Sequence, residues 1–290
     1  MKFSTLVQSI AFSAVPAIGA VLALPPRAGA SITLAQPLNG STTAEFPGAG
    51  LVGDSEGFFG SGVVVGDGSF MLTARHVVTQ DGAIGGALRP TSDIFLAVDG
   101  TTYSCTKVFA DFEADLALLK LNSSLTSGYS LWSAALGNEI GRKFTGVGFG
   151  LTNSDGNNTW GPGGFGTKRA FENVVDAISP GIIAGQGEVL RYDYDAIDAG
   201  AVGPLEGIAA PGDSGGGIFF QTNNHWWLAG IITSTGSPTL GSTGSVVRLA
   251  SYESSIHTLL PEPAASTAVA AAFLFGVAKR RRRGTSLLLH

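Results

Sequence analysis

The chain has 290 residues, 44% of them hydrophobic and only 13% charged, with 42 glycines and a formal net charge of −5. Setting aside Lys2, Arg27 and five basic residues near the C-terminus leaves 10 basic against 22 acidic groups, a net charge of −12, which argues against a nucleic-acid partner. Many Val, Ile, Thr and Ser among the glycines, with few Lys, predict β structure with frequent turns.

Residues 1–30 read as an export signal. Lys2 gives a positive start, an apolar run follows from Ile10 to Leu22, and Ala28-Gly29-Ala30 fits a signal-peptidase site. Pro16, Pro25 and Pro26 oppose a regularly packed helix there. The expected domain spans 31–260, roughly 230 residues, enough for one large unit or two small ones.

From Phe58 onward short apolar runs alternate with turns. Gly62 to Val65, Phe70 to Leu72, Asp93 to Val98 and Leu116 to Leu121 read as strands, with breaks at Gly66-Asp67-Gly68 and Asp99-Gly100. His76 follows the second of these, in Leu72-Thr73-Ala74-Arg75-His76-Val77-Val78. Cys105 is the sole cysteine, so the domain has no internal disulfide despite its expected export; it reads as a small apolar residue on a strand. Asp115 immediately precedes an apolar strand, where a carboxylate can be buried and still face an imidazole; Asp111 and Glu113 are weaker candidates.

Further strands are expected at Phe144 to Phe149, Phe171 to Ile178, Gly187 to Tyr194, Gly217 to Phe220, Trp226 to Ile232 and Ser245 to Leu249. Evenly spaced short strands suggest a β-barrel or sandwich. Thr152 to Gly166 reads as a plain surface loop, since the spaced acidic ligands of a calcium loop are missing. Ser214 stands in Pro211-Gly212-Asp213-Ser214-Gly215-Gly216-Gly217, where glycines leave room for a substrate. An α/β-hydrolase needs an acid and then a histidine after its serine; no Asp follows Ser214, and Glu253 lies only four residues before His257. His225 and His257 read as exposed, at a hairpin turn and on a terminal helix of about 250–260.

The last segment, 261–290, opens with Pro261-Glu262-Pro263, continues as an uncharged Ala-rich stretch over 264–278, and reaches five basic residues at 279–283. Fifteen residues are short for a spanning helix, which needs roughly 20 apolar positions. The order resembles the bacterial PEP-CTERM sorting signal. That resemblance implies transient membrane association, the basic cluster on the cytoplasmic side, and removal of the tail by an exosortase-like enzyme after signal peptidase has acted. An ordinary tail anchor is the alternative. The implied destination is outside the inner membrane, secreted or at the cell surface and its matrix.

TARHVV, DLALLKL and PGDSGGG, in that order, resemble the three catalytic segments of the chymotrypsin-like serine proteases. Separations of 39 residues from His76 to Asp115 and 99 from there to Ser214 suit that family's two-barrel fold. Gly146 to Gly150 is similar to the strand opening the second barrel, and Leu228 to Thr233 to the strand that borders substrate. The resemblance implies an all-β fold of two packed antiparallel barrels, about 57–130 and 131–250, with a short C-terminal helix. It implies a His76, Asp115, Ser214 triad, an oxyanion hole from the N–H groups of Gly212 and Ser214, and no metal or organic cofactor.

By the family's spacing, Ile208 lies at the base of the primary substrate pocket, Thr235 and Gly244 along its walls, with Thr233 beside them. An apolar floor and a narrowed mouth imply cleavage of protein or peptide substrates after small or medium apolar residues. The animal members of the family pair a newly cut apolar N-terminus with the Asp before the nucleophile, here Asp213. Leu51-Val52-Gly53 looks a little like such a terminus but lies too close to the next strand. A catalytically silent binding module and an esterase using the same triad remain the alternatives.

Overall fold

The structure is a computed structural model that describes residues 32–33, 46–126, 128–153, 160–161, 164–196 and 199–261. The expected leader, the tail from Glu262 onward and the middle of the Thr152 to Gly166 loop lie outside the described residues. Among the described residues no helix is long and apolar enough to cross a membrane.

Six strands close the first barrel: β1 (Ala49–Asp54), β2 (Gly57–Val65), β3 (Phe70–Thr73), β4 (Phe95–Val98), β5 (Thr101–Phe109) and β6 (Ala117–Leu121). They run in the order β1-β2-β3-β6-β5-β4, and β1 pairs with β4 to complete the circle. The expected strand at Asp93 begins later, because Thr91–Asp93 winds into a 3-10 turn whose N–H at Ile94 bonds to Thr91. β1 was not expected as a strand. It contains Leu51-Val52-Gly53, with Val52 wholly buried, so the segment that looked like an activation terminus is a stave of the barrel.

Cys105 lies on β5, 6% exposed, and burial pushes its thiol up to about 11. That leaves little thiolate and fits a packing residue rather than a nucleophile.

The second half is a curled eight-stranded sheet. Its main strands are β7 (Lys143–Gly148), β8 (Arg169–Val174), β9 (Ala177–Pro180), β10 (Glu188–Asp193), β11 (Gly217–Thr222), β12 (His225–Ser234) and β13 (Thr243–Arg248). The path is β8-β7-β11-β12-β13-β10-β9, with Ser130–Leu131 added parallel to β12. The single strand expected from Phe171 to Ile178 is two. Its chain turns at Val175 and Asp176, whose N–H groups bond to Arg142 and Arg191, and so passes from pairing with β7 to pairing with β10. Asn173, 3% exposed, donates its amide to the carbonyls of Asp193 and Gly207, tying β8 to β10 and to the Gly207–Ile208 strand without a ladder.

Asn223 and Asn224, both at positive φ, form the two-residue turn between β11 and β12, which asparagine tolerates. The terminal helix is shorter than expected: a 3-10 turn at Leu249–Ser251, then α1 (Glu253–His257), with the non-helical Tyr252 between them. Thr152–Asn153 pairs with Trp160–Gly161, so the expected plain loop carries a short ladder at its base.

Two apolar cores result. One fills the first barrel and extends across to Val147, Phe149, Phe219, Leu228 and Ile231; the other fills the second around Phe144, Phe171, Tyr192 and Phe220. Phe46 and Tyr129 stack on Phe219 at 4.6 and 4.7 Å between ring centroids, so the barrels share apolar area at their seam. The fold is the double β-barrel of the chymotrypsin type, and its seam carries the site.

Candidate active site

His76 sits in the 3-10 turn Arg75–Val78, just after β3. The Thr79 hydroxyl donates to the His76 carbonyl at 2.9 Å and locks that turn. Asp115 enters from the loop before β6 and is fully buried. Its Oδ1 accepts the His76 backbone N–H at 2.9 Å, and its Oδ2 lies 2.7 Å from the imidazole Nδ1. Thr233, at the end of β12, donates its hydroxyl to the same Oδ2. The carboxylate therefore holds three donors, two of them from His76, which fixes both the place and the plane of the ring. Asp111 and Glu113, by contrast, are exposed.

Ser214 lies on the turn between the short Gly207–Ile208 strand and β11. Two hydrogen bonds seat this turn on the first barrel: Ser61 N–H to the Ser214 carbonyl at 2.7 Å, and Ser61 Oγ to the Gly212 carbonyl at 2.9 Å. Gly215, at φ +86, lies so close to β2 that a Cβ there would stand 2.0 Å from the Ser61 carbonyl oxygen. Gly60 is caught between Val77 and the Ser214 carbonyl: a Cβ on it would be 2.6 Å from the first and 3.3 Å from the second. The Ser214 turn and the His76 turn thus abut the same stretch of β2. The Ser214 hydroxyl makes no hydrogen bond among the described residues.

The amides of the turn divide into two groups. Those of Asp213, Gly215 and Gly216 donate to Ala210, Ile232 and Asp213. Those of Gly212 and Ser214 have no acceptor among the described residues, and Gly212 takes φ +93, which a side chain would resist. Amides without an acceptor beside a serine are the kind of donor that can hold a developing oxyanion.

Asp213 is fully buried, and its partners could not be read from the sequence. Oδ1 accepts the Gly150 N–H and Oδ2 the Ala210 N–H, both at 2.7 Å. Arg169, 6% exposed, adds a cationic field: burial pushes its pKa down and Asp213 offsets part of that. The turn is tied by these groups from within the folded domain.

Ser61 itself is wholly buried and also accepts the Phe149 N–H at 3.1 Å. Ser61→Ala leaves that amide and the Gly212 carbonyl without partners, at a cost of about 1–3 kcal/mol for an unsatisfied buried group. The expected result is a lower denaturant midpoint and slower turnover, read by unfolding curves beside an activity assay.

Of the residues assigned to the pocket, Ile208 is fully buried, Gly244 is buried, Thr233 is spent on Asp115, and Thr235 is half-buried. Two residues before Ile208, Glu206 is buried and accepts the N–H groups of Val202 and Asp195, yet desolvation pushes its carboxyl up to about 7. The folded protein therefore binds more protons than the unfolded chain over the interval up to about pH 7, so this group's contribution to stability falls as pH rises through it. Glu206→Gln removes the titration, and the difference in Tm between variant and wild type is expected to move in the variant's favour from pH 5 to pH 8.

No curated protein matches the chain. Residues 60–231 match the family model for the trypsin-like peptidase domain, a segment that runs from the glycine seated on the Ser214 turn to β12. That match covers more than half the chain and takes in His76, Asp115 and Ser214, so the protein belongs to the trypsin-like peptidase family.

Proposed function

We propose that the protein is an exported serine endopeptidase in which His76, Asp115 and Ser214 act as the triad. Ser214 Oγ attacks the scissile carbonyl while His76 Nε2 takes its proton. The N–H groups of Gly212 and Ser214 receive the oxyanion. His76 then returns the proton to the leaving amine, giving an acyl-enzyme that water resolves by the reverse steps. Asp115 holds the Nδ1–H tautomer and stabilises the imidazolium.

The observation that carries this reading is the double grip of Asp115 on His76, beside a turn whose amides at Gly212 and Ser214 are left unspent. The apolar surroundings of Ile208 favour small or medium apolar residues before the cut. The sequence of 1–30 supports export by signal peptidase, and that of 261–290 supports a transient membrane stage ended by an exosortase-like enzyme.

Casein turnover by the purified protein, with and without a fluorophosphonate, tests the activity. Hydrolysis that stops on phosphonate treatment is expected. Labelling with turnover of simple esters but of no peptide would instead make it an esterase.

A further inference from the structure

Gly244, assigned from the sequence to a wall of the primary pocket, is covered by Tyr192 from the neighbouring strand. Tyr192 stands on β10 directly opposite Gly244 on β13, so its side chain shares the face that a Gly244 side chain would occupy. The ring lies over the glycine: a Cβ at Gly244 would stand 2.2 Å from Tyr192 Cζ and 2.4 Å from its hydroxyl. A glycine in a pocket wall ordinarily leaves space for substrate. Here that space belongs to a tyrosine from the neighbouring strand, packed against Phe144 at 5.1 Å between centroids and 1% exposed.

Two hydrogen bonds then join the pocket's walls. The Tyr192 hydroxyl accepts the Ala209 N–H at 3.3 Å, linking the wall before Ser214 to the ring that covers Gly244. The Thr235 hydroxyl donates to the Ala209 carbonyl, linking that same wall to the end of β12 nearer the surface. Ala209 and Ala210, which lead into the nucleophile turn, are 0% and 2% exposed. An open, deep slot would expose them.

Resting on the function proposed above, we infer that Tyr192 and Thr235 are specificity-determining residues that restrict cleavage to peptide bonds following glycine or alanine. The narrowing follows from volume. A side chain beyond a methyl group must displace either the Thr235 bridge or a packed aromatic ring, and pockets discriminate by about 10–200-fold per methylene that does not fit.

The test is a set of peptides alike except at the residue before the cut (Gly, Ala, Val, Leu, Phe), assayed for kcat/KM with the wild-type protein, Thr235→Gly and Tyr192→Phe. Fluorophosphonate labelling of Ser214 is followed in parallel. Tyr192→Phe keeps the ring that the second core needs and removes only the hydroxyl. Wild type is expected to prefer alanine over leucine by at least about 10-fold. Thr235→Gly is expected to shrink that ratio about 10-fold or more, and Tyr192→Phe to improve valine first, by less. Wild-type cleavage after leucine or phenylalanine as fast as after alanine overturns the inference while leaving the peptidase reading intact. So does a ratio that neither variant changes. Failure of the folded wild type both to label and to cut overturns the peptidase reading and this inference with it.

Discussion

Ser214→Ala is expected to lower kcat for peptide hydrolysis by about 10⁶, the scale seen when the nucleophile of such a triad is lost. The Ser214 hydroxyl makes no hydrogen bond among the described residues, whereas the flanking carbonyls of Gly212 and Ser214 are held by Ser61, and the Asp213 carboxylate by Gly150 and Ala210. Removing Oγ breaks none of these bonds, so the turn, its free amides and the fold should persist. Residual turnover of about 10³ to 10⁴ over water is expected from those amides and from substrate binding. Progress curves at high enzyme concentration measure it, with a thermal melt confirming an unchanged fold.

Asp115→Asn is expected to reduce kcat by about 10⁴. The three donors around the carboxylate explain the direction. Oδ1 is held by the His76 backbone N–H, so an asparagine keeps its carbonyl oxygen there and presents its NH2 where Oδ2 was. That NH2 faces the imidazole Nδ1 and the Thr233 hydroxyl, both of which had been donating. The ring must then accept at Nδ1 and carry its proton on Nε2, the atom that should take the proton of Ser214. The Thr233 hydroxyl, which can rotate and accept instead, softens the structural cost. A pH–rate profile of the variant is the check: activity should recover toward high pH, where hydroxide or a deprotonated serine replaces the lost base. A flat loss at all pH values would point to misfolding.

How much of this was legible in the sequence depends on whether the information is local. TARHVV, DLALLKL and PGDSGGG each place one polar residue beside an apolar strand or within glycines, and the His76–Asp115 pairing could be anticipated from them. β1 was missed because Gly50 and Gly53 dilute its alternation. Its burial is set by closure against β4, a tertiary event. The partners of Asp213 were invisible for another reason: two are backbone amides, which every residue has, brought in by the fold. Thr233 looked like a residue beside substrate, and only the depth of β12 against the first barrel turns its hydroxyl to Asp115. Tyr192 gave no signal, since its meaning depends on a cross-strand register with Gly244.

The absence of a disulfide also fits this architecture. In place of such staples, aromatic stacking at the seam and buried polar links join the barrels: Ser61 to Gly212 and Phe149, and Thr233 to Asp115. Those same links hold Asp115 and the Ser214 turn, so the bonds that stabilise the seam are the ones that set the candidate site's geometry.

The central claim is that Ser214 is a nucleophile activated by the folded seam. Treating the purified protein with a fluorophosphonate and locating the adduct by peptide mass mapping tests it most directly. The account predicts one adduct, on Ser214, formed in the native protein and not after denaturation, with casein turnover lost in proportion. A protein that is folded by its melting curve yet takes up no phosphonate, or carries it elsewhere, would contradict it.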